Sequence, residues 1–176
     1  MSTRANIAIC LKEGLGKEYK FDPSKLPEPY SETFAQANEV KVMEKLSIPM
    51  TLEHGYIVGY CHYDGKPHLL GKRLLQFDTE EKAINLVMGG PISSLTKTMV
   101  EYIGFRPYKD IANKPGSFMP KCADDFEALD RDYTYIFDRG HWYFCENYNF
   151  VKEAHGFTEH SEWVRLDIWM KNRESK

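Results

Sequence analysis

The sequence predicts an α+β fold: an antiparallel sheet with short helices packed on one side and a helical insertion after the first strand. Strand-like and helix-like stretches do not alternate regularly along the chain, which points to segregated rather than doubly wound elements. Aromatic residues make up 14% of the chain, with 11 Tyr and 10 Phe, and flat rings pack well on pleated faces. "DYTYIFDRGHWYFCENYNF" (132–150) reads as a hairpin of two aromatic strands around Asp138, Arg139 and Gly140.

The elements follow in order. "NIAICLK" (6–12) is apolar and β-prone and is the first strand. Residues 17–30 hold three prolines and few periodic apolar residues, the composition of an exposed loop. "SETFAQANEVKVMEKL" (31–46) is helical in pattern, with Ser31 as cap and Phe34, Ala37, Val40 or Val42, Met43 and Leu46 recurring at helical spacing. The second strand is 55–63, closed by an Asp64-Gly65 turn with Gly65 supplying the positive φ. "LLGKRLLQF" and "TEEKAINLVMGG" predict two short helices, the second capped by Thr79 and stopped at Gly89 or Gly90. A further helix is expected from Ser94 to Ile103 and a loop over 105–121, which again holds three prolines. The last stretch suits helix or strand; Thr158 as a cap and the charged flanks favour helix. All of this fits one domain, 1–176, with 13–54 as an inserted loop-helix element.

Composition narrows the functional classes. A net charge of −3 and no basic stretch longer than Lys72-Arg73 make DNA or RNA an unexpected partner. No apolar run approaches membrane length and no signal pattern opens the chain, so the expectation is a cytoplasmic protein with no membrane partner. The four cysteines lack C-x-x-C spacing and read as reduced thiols.

Four pieces of the chain are similar to a known family. "MSTRANIAI", "GYCHYDGKPHLLGKRLL", "EEKAINLVMGGPISSL" and "YTYIFDRGHWYFCE" occur in an order that resembles short phage and prophage proteins. Those open on a Met-Ser/Ala-Thr-Arg strand and carry a Tyr-Cys-His-Trp-Asp-Gly-Tyr-Pro motif. Here Tyr63 stands for the family's tryptophan, Lys66 for its second tyrosine, and His68-Leu69-Leu70 for its Glu-Gly-Val. Gly90-Pro91 stands where Gly-Asp is usual, and 13–54 is extra. The resemblance implies a phage origin, hence the cytoplasm of a host cell, and a shared fold. It implies no particular reaction.

The densest chemistry lies in "YIVGYCHYDGKPHLLGKRLLQF" (56–77). Strand alternation sends Cys61 and His62 to opposite faces, so they make a poor nucleophile pair. Cys61 reads as a small buried hydrophobe, with His141 or His160 as conceivable partners across the fold. His62, Asp64 and His68 could hold zinc or another divalent metal; alternatively they only build a turn. Ser2, exposed by loss of Met1, is a weak candidate for an N-terminal nucleophile, and Arg4 an anchor for a carboxylate or phosphate. "MGGPISS" could cradle an anion at a helix start, or be a helix stop followed by a new cap. The acidic run 124–138, six acids against one arginine, reads as a solvated face.

Together these predict a non-catalytic accessory protein that binds a host protein or a nucleotide-like signal, without a cofactor, and that counters host defence. Arg4, His62, Tyr63, Asp64, Lys66, Arg139, Trp142 and Tyr143 are the expected contact residues, the hairpin aromatics serving as contact area. The competing expectations are a metal-dependent hydrolase at His62, Asp64 and His68, and a homo-oligomer that sequesters a nucleotide.

Overall fold

Every residue of Ala5–Cys10 is buried, the pattern of a strand covered on both faces rather than one at an edge. This strand, β1, lies at the centre of a seven-stranded sheet in the computed structural model, which describes residues 3–12, 16–37, 49–52, 56–102, 132–146 and 163–176. On one side of β1 come β4 (Tyr56–Cys61), β5 (Ile92–Leu95) and β6 (Val100–Tyr102). On the other come β7 (Tyr133–Asp138), β8 (His141–Glu146) and β9 (Val164–Arg165). A separate two-stranded ladder joins β2 (Glu18–Tyr19) to β3 (Met50–Thr51).

The fold is α+β, and its sheet is mixed. β1 runs parallel to β7 and β4 parallel to β5, whereas the other neighbours are antiparallel. An all-antiparallel sheet was the expectation, and the difference starts at 94–103. The helix expected there is instead the hairpin of β5 and β6. Thr96 explains it: its hydroxyl accepts from the backbone N–H groups of Thr98 and Met99, while its own N–H donates to the Met99 carbonyl. A threonine that satisfies the backbone locally favours a turn over a helix. With β5 a strand, the helical segment 67–88 becomes a crossover, and a helical crossover permits parallel pairing with β4.

The described helices pack on one face of the sheet. That face carries Ala5, Ile7 and Ile9 of β1, Ile57 and Cys61 of β4, Tyr135 and Phe137 of β7, and Trp142 and Phe144 of β8, all in one core cluster. A π-helical turn, Pro67–Gly71, runs into α2 (Lys72–Leu74) and buries Leu70 and Leu74. The next helix, α3 (Glu80–Met88), starts where Thr79 accepts from the Lys82 N–H, with Glu80 and Glu81 favourably placed in the first turn. Gly89 caps it and Gly90, at φ 110°, turns the chain out. The chain ends in α4 (Leu166–Glu174), which buries Leu166 and Met170, one turn apart. Its start is Arg165, with no side-chain cap; the expected cap, Thr158, lies outside the described residues.

The segment expected as an insertion shares this core. Its helix α1 (Tyr30–Ala37) begins one residue earlier than expected, so Ser31 is inside the helix and donates to Glu28 instead of capping. Phe21, Leu26, Tyr30, Phe34 and Leu52 belong to the same cluster as the sheet residues. Asn85 of α3 fastens the segment with two hydrogen bonds: its Oδ1 accepts from the Asp22 N–H and its Nδ2 donates to the Asp22 carbonyl, both at 2.9 Å. Residues 38–46 of the expected helix and the expected loop 105–121 lie outside the described residues.

Candidate functional site

β4 ends at Cys61, but the chain stays hydrogen-bonded to β5 for two more residues, His62 N–H to the Ile92 carbonyl and Tyr63 N–H to the Ser93 carbonyl. The turn that follows is built differently from the expected one. Asp64, not Gly65, takes the left-handed conformation, at φ 59°. Aspartate tolerates that region better than most side chains. Gly65 is needed for close approach: a Cβ there would stand 2.8 Å from the Thr3 carbonyl oxygen and 3.0 Å from the Ala5 Cβ. Its N–H donates to that same Thr3 carbonyl at 2.9 Å, and its own carbonyl accepts from the Tyr135 hydroxyl. Leu70 N–H then closes onto the Asp64 carbonyl and buried Pro67 opens the π-turn. The backbone of this corner is therefore tied to β5, to β7 and to Thr3, two residues before β1.

Its side chains diverge as strand alternation requires. Cys61 points into the core, fully buried, and its Sγ donates to the Tyr63 carbonyl. Burial pushes its thiol up to about 12, so near neutral pH it is a protonated thiol and not a nucleophile. His62 points to the other face, where its Nδ1 lies 2.6 Å from the Tyr60 hydroxyl two residues back. The Tyr63 ring stands edge-on to the imidazole, centroids 4.4 Å apart, and is 47% exposed, while Leu69 is 36% exposed. Asp64, Lys66 and His68 are exposed beside them.

Arg4 joins the same corner. The β1–β4 register ends at Ala5 opposite Cys61, and Arg4 is the residue just before it. Its backbone is held by Asp132, whose carboxylate accepts from the Arg4 N–H at 2.7 Å and whose N–H donates to the Arg4 carbonyl. The side chain of Arg4 is exposed. Two exposed cations, Arg4 and Lys66, and two exposed carboxylates, Asp64 and Asp132, belong to this stretch of surface. The charges balance, so shape and apolar area, rather than a net field, set what this corner fits.

The other expected residues are elsewhere. Trp142 is 3% exposed, donates from Nε1 to the Phe77 carbonyl at 2.9 Å and packs edge-on to Phe137. It is a core residue and not a contact surface. The indole needs a buried acceptor, and the connection between α2 and α3 supplies one. Arg139 and Gly140 are the two central residues of the β7–β8 turn, both at positive φ (51° and 83°), with Asp138 paired to His141. That is the geometry of a primed hairpin turn. Because β7 runs parallel to β1, this turn lies at the end of the sheet opposite Arg4. Tyr143 is half-buried on the face away from the helices, opposite Arg165 of β9. The Arg165 guanidinium is itself taken by Asp167 in two bonds of 2.7 and 3.0 Å, which hold the Asp167 carboxyl below its usual range.

The structure does not bring His62, Asp64 and His68 together as the three-ligand group that the metal reading requires. Among the described residues no three His, Cys, Asp or Glu side chains come together as a group that could hold a metal ion. His62 Nδ1 lies beside the Tyr60 hydroxyl, and His68 is exposed on the π-turn. The anion cradle at "MGGPISS" is overturned: β5 begins at Ile92, and the Ser94 hydroxyl donates to the Glu101 carboxylate. Ser2, His160 and residues 124–131 of the acidic run lie outside the described residues. Sequence reasoning missed Tyr60 as the partner of His62, although i, i+2 spacing on a strand put them on one face. It also missed Leu69 as an exposed apolar group. The described cysteines, Cys10, Cys61 and Cys145, are free thiols. Among the described residues no helix is long and apolar enough to cross a membrane. Comparison with family models, with curated proteins and with solved structures finds no match for this chain.

Proposed function

We propose that this chain is a non-catalytic binding protein, and that the corner formed by Arg4, His62, Tyr63, Asp64, Lys66 and Leu69 is the surface that meets its partner. One observation carries the reading: the corner exposes an aromatic and an aliphatic side chain on a backbone tied to β5, to β7 and to the residues leading into β1. Exposed apolar groups on a pre-ordered backbone lose little conformational entropy on binding, which is what a recognition surface requires. The resemblance to phage proteins supports a host protein as the partner, and interference with host defence as the role. A nucleotide-like ligand is the second reading, favoured by the exposed Tyr63 ring, on which a base could stack.

The test places a photo-crosslinking amino acid at position 63 and, as a control, at the exposed Lys97. The expected result in a bacterial host is one discrete protein adduct from position 63, none from 97, and loss of the adduct when Leu69→Asp is added. Equal labelling from both positions, or an adduct indifferent to Leu69→Asp, would overturn the proposal. A rise in melting temperature with added mononucleotides, abolished by Tyr63→Ala, would instead select the nucleotide reading.

A further inference from the structure

We draw no further inference here: the strongest candidate, the polar row of Tyr60, Asn6 and Thr134 on the sheet face away from the helices, where Asn6 Oδ1 is buried without a hydrogen-bond partner, carries nothing because no described residue shows what covers it.

Discussion

Tyr135, buried in β7, donates its hydroxyl hydrogen bond to the backbone carbonyl of Gly65, the residue on which the exposed corner turns. The same device recurs through the core. Tyr30 donates to the Thr96 carbonyl, Tyr102 to that of Leu86 and Trp142 to that of Phe77. Each acceptor sits in the last turn of a helix or in a connection between elements, where a carbonyl has no ladder or helix partner. Large aromatic donors thus fill the core and close the ends of the elements packed on it.

Tyr135→Phe tests that role at the corner. It leaves the Gly65 carbonyl without its partner inside the protein, a loss of roughly 1–3 kcal/mol. Amide hydrogen exchange should rise first over residues 62–71 and little in the β7–β8 hairpin. A uniform rise across the chain would show that the corner is not held locally by this bond.

Gly65 and Asp64 should respond in opposite ways. Gly65→Ala drives a Cβ against the backbone of Thr3 and the side chain of Ala5, neither of which has a flexible end to move aside. Overpacking of this kind typically costs about 1–3 kcal/mol. Asp64→Gly removes a side chain from the left-handed region and should leave stability unchanged within about 1 kcal/mol. Thermal melts of the two variants decide it. If Asp64→Gly were the more damaging, the Asp64 side chain, not its backbone conformation, would be building the turn.

The strands were legible where the pattern was local. "NIAICLK" and the aromatic hairpin needed only composition and period, and Thr79 announced α3 through its own hydroxyl. The parallel pairing of β1 with β7 was not legible, because it joins Ala5 to Tyr133 across most of the chain and neither stretch specifies direction. β5 and β6 were hidden by the turn at Thr96, whose short flanking strands look helical in a long window. At the corner, residue types pointed to the right place but not to its logic. The Asp-Gly pair reads as a hairpin turn until the Thr3 carbonyl is seen beside Gly65. Alternation and register put Trp142 on one face with Tyr135, Phe137 and Phe144, but only the helices packed there make that face the buried one.

Trp142 and Tyr143 are adjacent in sequence and should behave differently. Trp142→Ala removes a buried indole and leaves the Phe77 carbonyl unpartnered, a loss on the order of 3–5 kcal/mol. Tyr143→Ala, on the half-buried opposite face, should cost distinctly less. Chemical denaturation of both variants measures this directly. Similar midpoints would contradict the assignment of Trp142 to the core.

Asn85→Ala tests whether residues 16–37 are a decoration or part of the fold. The variant loses both hydrogen bonds to Asp22, and with Asn85 almost fully buried the Asp22 backbone groups lose their partner. A destabilisation of about 1–3 kcal/mol is expected, with faster exchange across 16–37. Replacing 17–52 by a short linker should abolish cooperative unfolding, because Phe21, Leu26, Tyr30, Phe34 and Leu52 leave the core together. A linker variant that still melts cooperatively would show that the segment is not part of the cooperative core.

The alkaline limb of the stability curve follows from the buried acids. Burial pushes the Cys61 thiol from its ordinary value of 9.0 up to about 12, and burial likewise raises the Tyr102 and Tyr135 hydroxyls. A group whose pKa is higher folded than unfolded keeps its proton longer in the native state. Its stabilisation is complete below the unfolded value and is lost as pH rises towards the folded one. For Cys61 the window is therefore about pH 9 to 12, and the midpoint of chemical unfolding should fall steadily across it. Cys61→Ala should flatten that limb while lowering stability near neutral pH, since the buried sulfur also packs the core. Iodoacetamide offers an independent check: at pH 8 the folded protein should label Cys61 far more slowly than the denatured chain. Rapid native labelling at that position would mean that the thiol is neither buried nor protonated, and would return Cys61 to the list of reactive groups.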